Sequence, residues 1–136
     1  MTPQCSGGRV RSPGLLLVDP DTLTRSSLAR DMERQGWLVW AAGDGATALE
    51  TYRLYRDRID VALVDLQLPG LQGGRLLTEL GQLDPDLSRC AMSGGVSAYT
   101  ASAFRRVSAT PLFTKPIDPR ALAAALNELL AHIART

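Results

Sequence analysis

Four side chains suited to phosphate chemistry each close a short apolar run. Gly14-Leu-Leu-Leu-Val18 ends in Asp19, and Asp60-Val-Ala-Leu-Val ends in Asp65. Arg89-Cys-Ala-Met92 leads into Ser93, and Pro111 to Thr114 leads into Lys115-Pro116. Each has an ordinary structural explanation alone: aspartate caps turns and helices, serine fills loops, and lysine is solvated. Four separate runs ending this way give the set its meaning. A carboxylate can act as nucleophile and carry an acyl phosphate. The loose, charge-spread phosphoryl state then needs mainly positioning and neutralisation. A hard cation held by carboxylates, a mobile ammonium and a hydroxyl donor would supply that. Small residues at Gly94 and Gly95 leave room above such a nucleophile. Among 15 Lys+Arg, Lys115 is the only lysine, in a chain that otherwise uses arginine throughout.

The elements that must position these groups alternate between two periods. Strands are expected at Gly14–Val18, Trp37–Ala41, Asp60–Asp65, Arg89–Met92 and Pro111–Thr114. The first helix, capped by Asp21 or Thr22, should run to about Gln35, with Leu23, Leu28 and Met32 inward and Gly36 as its stop. Asp44 caps a second helix to about Arg58. After a loop of Pro69-Gly70 and Gly73-Gly74, a third runs from about Arg75 to Leu83. A fourth is expected from about Ser97 to Arg106. The last, capped by Asp118 with Pro119 at its first position, reaches Ala134. Trp37 and Trp40 have opposite parity, so at least one should pack against a helix. Five βα units joined by short connections imply a parallel α/β sheet with helices on both faces. Ligands bind such sheets beyond the carboxyl ends of the strands, where the four groups converge.

Length and composition bound the possibilities. One hundred and thirty-six residues with 45% hydrophobic and 21% charged side chains suit one globular domain. We expect a flexible tail over 1–13 and a domain over 14–136. A formal charge of +1 argues against a polybasic nucleic-acid binder. Cys5 and Cys90 cannot form a disulfide framework. No stretch reads as a membrane span or a secretory leader, so a cytoplasmic location is expected. His132 has no partner at ligand spacing and should face solvent. Arg53, Arg56 and Arg58, like Arg105-Arg106, read as solvated helix faces.

The motifs resemble those of bacterial response-regulator receiver domains. Leu16-Leu-Val-Asp19, Val61-Ala-Leu-Val-Asp-Leu-Gln-Leu-Pro-Gly70, Ala91-Met-Ser-Gly94 and Phe113-Thr-Lys-Pro116 carry the resemblance, which runs from about Gly14 to the end of the last helix. It implies a (βα)5 doubly wound, flavodoxin-like fold with a five-stranded parallel sheet in order 2-1-3-4-5. It also implies that Asp65 is the phosphoacceptor and that Ser93 and Lys115 bind the phosphoryl group, Ser93 drawing its loop inward. Asp19, Asp65 and the backbone carbonyl of Gln67 would hold Mg²⁺. The Gln67 side chain and Gly95 would tune dephosphorylation, and Pro116 would follow a cis peptide. A sensor histidine kinase or histidine phosphotransfer protein would be the donor. A downstream protein would bind the face formed by the fourth helix, fifth strand and last helix, the chain being a monomer or weak homodimer.

Two departures qualify the resemblance. Where the family usually has a second acid, this chain has Pro20, which cannot ligate a metal through its side chain and should leave Mg²⁺ weakly bound. Leu112 stands where many receivers carry a switching aromatic, and Phe113 should face the opposite side of the sheet. Two functions therefore stand at this point: a single-domain, non-enzymatic response regulator switched by phosphorylation, or a pseudo-receiver adaptor that Pro20 keeps unphosphorylated. A small α/β phosphatase or nucleotide-binding enzyme would need a glycine-rich phosphate loop after the first strand, and Asp19-Pro-Asp-Thr22 has none.

Overall fold

A computed structural model of the chain describes residues 11–68, 73–94 and 110–134. The elements are β1 (Gly14–Val18), α1 (Thr22–Arg34), β2 (Leu38–Ala42), α2 (Gly45–Tyr55), β3 (Val61–Asp65), α3 (Gly73–Leu83), β4 (Ser88–Ser93), β5 (Leu112–Thr114) and α4 (Pro119–Ala134). The strands form one parallel five-stranded sheet in the order β2-β1-β3-β4-β5. The helix expected over Ser97–Arg106, together with Gly95, Arg105-Arg106, the Pro69-Gly70 loop and Cys5, lies outside the described residues.

Alternation along the strands divides the core in two. Leu16, Val18, Ala62, Val64 and Ala91 face α2 and α3, meeting Ala48, Tyr52, Leu76 and Leu80. Leu15, Leu17, Val61, Leu63, Cys90 and Met92 face α1 and α4, meeting Leu28, Met32, Leu122 and Leu126. β1 and β3 are buried along their whole length, which is why each reads as an unbroken apolar run. Trp37 is buried on the α1 and α4 side, whereas Trp40 lies on the other side and stacks on Tyr55 at 5.4 Å. Leu112 and Phe113 likewise fall on opposite faces. His132 is exposed, and burial pushes the Cys90 thiol up to about 12.

Several boundaries differ from expectation. Leu23 is not an inner residue of α1: it is 80% exposed, because the stripe that meets the sheet is carried by Leu28 and Met32. Gly36 takes φ +95° just beyond α1, and Trp37 donates its backbone N–H back to Met32, so β2 begins one residue later, at Leu38. α2 stops at Tyr55, short of Arg58. α3 begins at Gly73, two residues early. Residues 11–13 of the expected tail are described, and Arg11 and Pro13 bond to the body: Arg11 pairs with Asp60 at 2.8 Å, and the Pro13 carbonyl accepts from Leu38 N–H at 2.9 Å.

Candidate functional site

Strand register builds the site. Val18 pairs with Val64, Asp65 with Met92, and Ser93 with Thr114, so Asp19, Asp65, Ser93 and Lys115 arrive at one end of the sheet. Backbone bonds continue the ladder past the strand ends: Leu66 N–H donates to the Met92 carbonyl at 2.9 Å, and Lys115 N–H to the Ser93 carbonyl at 2.8 Å. The Lys115–Pro116 peptide is cis.

Burial then makes the groups depend on one another. Asp19 is fully buried, and Asp65 and Ser93 are nearly so. Lys115 Nζ donates to Asp19 Oδ2 at 2.8 Å and to Asp65 Oδ2 at 2.6 Å. The other carboxylate oxygens accept from the backbone: Asp19 Oδ1 from Asp21 N–H and Asp65 Oδ1 from Gln67 N–H, both at 2.8 Å. Burial opposes the charge on Lys115, but hydrogen bonds to Asp19 and Asp65 and their charges outweigh it, holding its pKa above the ordinary lysine value. The lysine stem runs close beneath Gly94, where an added Cβ would stand 3.2 Å from it. The Gln67 side chain is exposed.

Sequence reasoning missed two residues here. Arg25, one turn into α1, donates from Nη1 to the Asp19 backbone carbonyl at 2.7 Å, fixing the turn that presents the carboxylate. Gly73 lets the start of α3 press on β3, where a Cβ would lie 2.1 Å from the Asp65 carbonyl oxygen. The only available signals were an arginine four residues after the cap and a glycine at a helix start.

The donor set does not suit a divalent cation of the Mg²⁺ type, which prefers near-octahedral oxygen ligation. Pro20 is exposed and offers no side-chain oxygen. Asp21 spends its carboxylate as the α1 cap, accepting from Thr24 N–H at 2.8 Å and from the Thr24 hydroxyl, and these bonds hold its pKa low. Asp19, Asp65 and the Gln67 backbone carbonyl remain, and each carboxylate oxygen already accepts a hydrogen bond. Among the described residues no group of three or more His, Cys, Asp or Glu is placed to hold a metal.

Comparison with known proteins decides the family. The family model for the response regulator receiver domain matches residues 15–127. The chain belongs to the response regulator receiver domain family. The receiver is 32% identical over 121 residues to the transcriptional regulatory protein PrrA of Mycobacterium tuberculosis, covering 89% of this chain and 51% of that protein. It is 30% identical over 123 residues to the sensor kinase CckA of Brucella abortus, covering 88% of this chain and 13% of that one. It therefore spans about half, or less, of these relatives. A CheY-like response regulator receiver domain protein from Methanospirillum hungatei superposes with a TM-score of 0.79 at 26% identity, covering 91% of this chain and 98% of that chain. A receiver domain protein from Clostridium thermocellum gives 0.80 at 21% identity, covering 88% and 95%, and shares the fold. Receivers are signalling modules that work with histidine kinases or phosphotransfer proteins and generally bind Mg²⁺ at the acidic pocket.

Proposed function

We propose that Asp65 is the phosphoacceptor of this response-regulator receiver domain. The observation that carries this is Lys115 Nζ, which joins Asp65 to Asp19 in one buried cluster. Asp65 has a charged partner, Lys115 Nζ, at 2.6 Å, and a carboxylate so placed can serve as the nucleophile. In the transfer, the donor's P–N or P–O bond breaks, a bond forms from an Asp65 carboxylate oxygen to phosphorus, and the leaving atom takes a proton. Ser93, at the end of β4, donates its hydroxyl to the phosphoryl group, while Gln67 and Gly95 set access for attacking water. Any Mg²⁺ held by Asp19, Asp65 and the Gln67 carbonyl is bound weakly.

The donor is a sensor histidine kinase or histidine phosphotransfer protein. A cleft of about 620 Å³ beside the site supports this, because Leu23, Leu28, Pro116 and Ile117 line it with Lys115. Phosphate on Asp65 would bias the face that includes β5 and α4 toward a downstream protein. No helix among the described residues is long and apolar enough to cross a membrane, and a cytoplasmic, monomeric or weakly dimeric switch is the reading we adopt.

Pro20 favours one rival, an adaptor that is not phosphorylated. Incubation with phosphoramidate or acetyl phosphate, and with a phosphohistidine-bearing protein, followed by intact-mass measurement, separates the two. One added phosphate, lost in Asp65→Asn, is expected. No added mass from any donor would leave the adaptor.

A further inference from the structure

We infer that the Lys115 ammonium, seated by Asp19, is the resident cation of this pocket, standing where receivers generally place a divalent metal. Nζ is within hydrogen-bonding distance of both buried carboxylates, at 2.8 and 2.6 Å, so one positive charge bridges the pair. A divalent ion seated between the two carboxylates would compete with Nζ for those Oδ2 atoms. Seating it would break both charge-assisted bonds and leave a largely buried ammonium without an acceptor, a costly exchange. The exchange returns little, because Pro20 has no carboxylate and Asp21 is committed to Thr24.

This assigns Asp19 a positioning role. Its Oδ2 fixes Nζ beside Asp65, and its Oδ1 accepts from Asp21 N–H, closing the Pro20 turn. Arg25 on the Asp19 carbonyl holds the same turn from outside. An ammonium has three donors. Two are used by the carboxylates, and among the described residues no hydrogen bond takes the third, which remains for an oxygen of an incoming phosphoryl group. Uptake of phosphate on Asp65 then proceeds without added metal. That consequence rests on the phosphoacceptor reading above, whereas the cation assignment does not.

The test follows thermal unfolding of the full chain in excess MgCl₂ and in EDTA, with phosphoramidate uptake measured by intact mass in both. The wild type should melt at the same temperature in each, as should Pro20→Ala. Pro20→Asp should gain about 5 °C with MgCl₂. Asp19→Asn should slow uptake about tenfold, equally with and without Mg²⁺. A wild-type Mg²⁺ shift as large as that of Pro20→Asp would overturn the assignment, as would uptake that EDTA abolishes. Absence of uptake in both buffers with a flat wild-type Mg²⁺ response would sustain the resident lysine and remove the phosphoacceptor reading instead.

Discussion

The two ends of the sheet use the same chemical pieces to different ends. At the amino end, Asp60 Oδ1 pairs with Arg11 at 2.8 Å and Oδ2 accepts from Gly14 N–H at 2.9 Å, with side chains 45% and 28% exposed for Arg11 and Asp60. At the carboxyl end, Lys115 pairs with Asp19 and Asp65, whose side chains are 20%, 0% and 5% exposed. Water can replace either partner at the first site, so the pair is a tether. At the second, water is largely excluded and both carboxylates share one lysine, so the three respond as a unit to any new charge. Burial, rather than residue type, makes one cluster a fastening and the other a site.

The largest effect expected from that contrast is at Lys115. Lys115→Met leaves two buried carboxylates facing each other, and should cost about 3–5 kcal/mol in urea unfolding near neutral pH. A loss below about 1 kcal/mol would make the carboxyl end as solvated as the other. Next comes the contact between α3 and β3. Gly73→Ala forces a methyl against the Asp65 backbone, at a cost of about 1–3 kcal/mol and with slower phosphate uptake. Gly74→Ala meets nothing within 4 Å and should instead stabilise the helix by about 0.5–1 kcal/mol. Equal losses at the two glycines would show that helix propensity, and not the approach to Asp65, decides the pair.

Those glycines also mark where the sequence stopped being readable. β1 and β3 were legible because strands buried on both faces leave no polar residue until they end, and their last polar residue is then conspicuous. α4 was legible from Asp118-Pro119 and its long Ala/Leu run. The start of α3 was not, since two glycines have poor helix propensity and only tertiary contact explains Gly73. Leu23 was misplaced because periodicity identifies a stripe without saying how far the sheet extends beneath it. The meeting of Asp19, Asp65 and Lys115 was foreseeable from strand ends. That one ammonium would engage both acids, and that Asp21 would be spent as a cap, depended on turn geometry around Pro20 that no spacing encodes.

Between the two extremes lies Tyr52 of α2, fully buried, whose hydroxyl donates to Asp84 before β4. Tyr52→Phe should cost about 1 kcal/mol. That hydrogen bond is the chief reason the Asp84 carboxyl lies below its ordinary value of 3.8, ahead of the opposing effect of burial. A lowered carboxyl adds stability that is complete above about pH 4 and fades as pH falls through the folded-state value. Unfolding curves followed downward from neutral pH should therefore fall less steeply for Tyr52→Phe than for the wild type below about pH 4. Parallel acid limbs would place Asp84 outside the set of groups that titrate with folding.

The smallest effect belongs to the amino-end tether itself. Arg11→Ala removes the ion pair to Asp60 and a 3.3 Å bond to the Arg58 carbonyl, yet Asp60 keeps Gly14 N–H and gains water. The expected loss is about 0–1 kcal/mol, and it should vanish in high salt, where exposed charges are screened. The Lys115→Met deficit should persist there, because salt ions do not enter a pocket whose carboxylates are almost fully covered. The two variants measured side by side at low and high ionic strength thus test the contrast directly. If both losses fall together with salt, the carboxyl-end cluster is solvent-connected and its lysine cannot act as a resident cation.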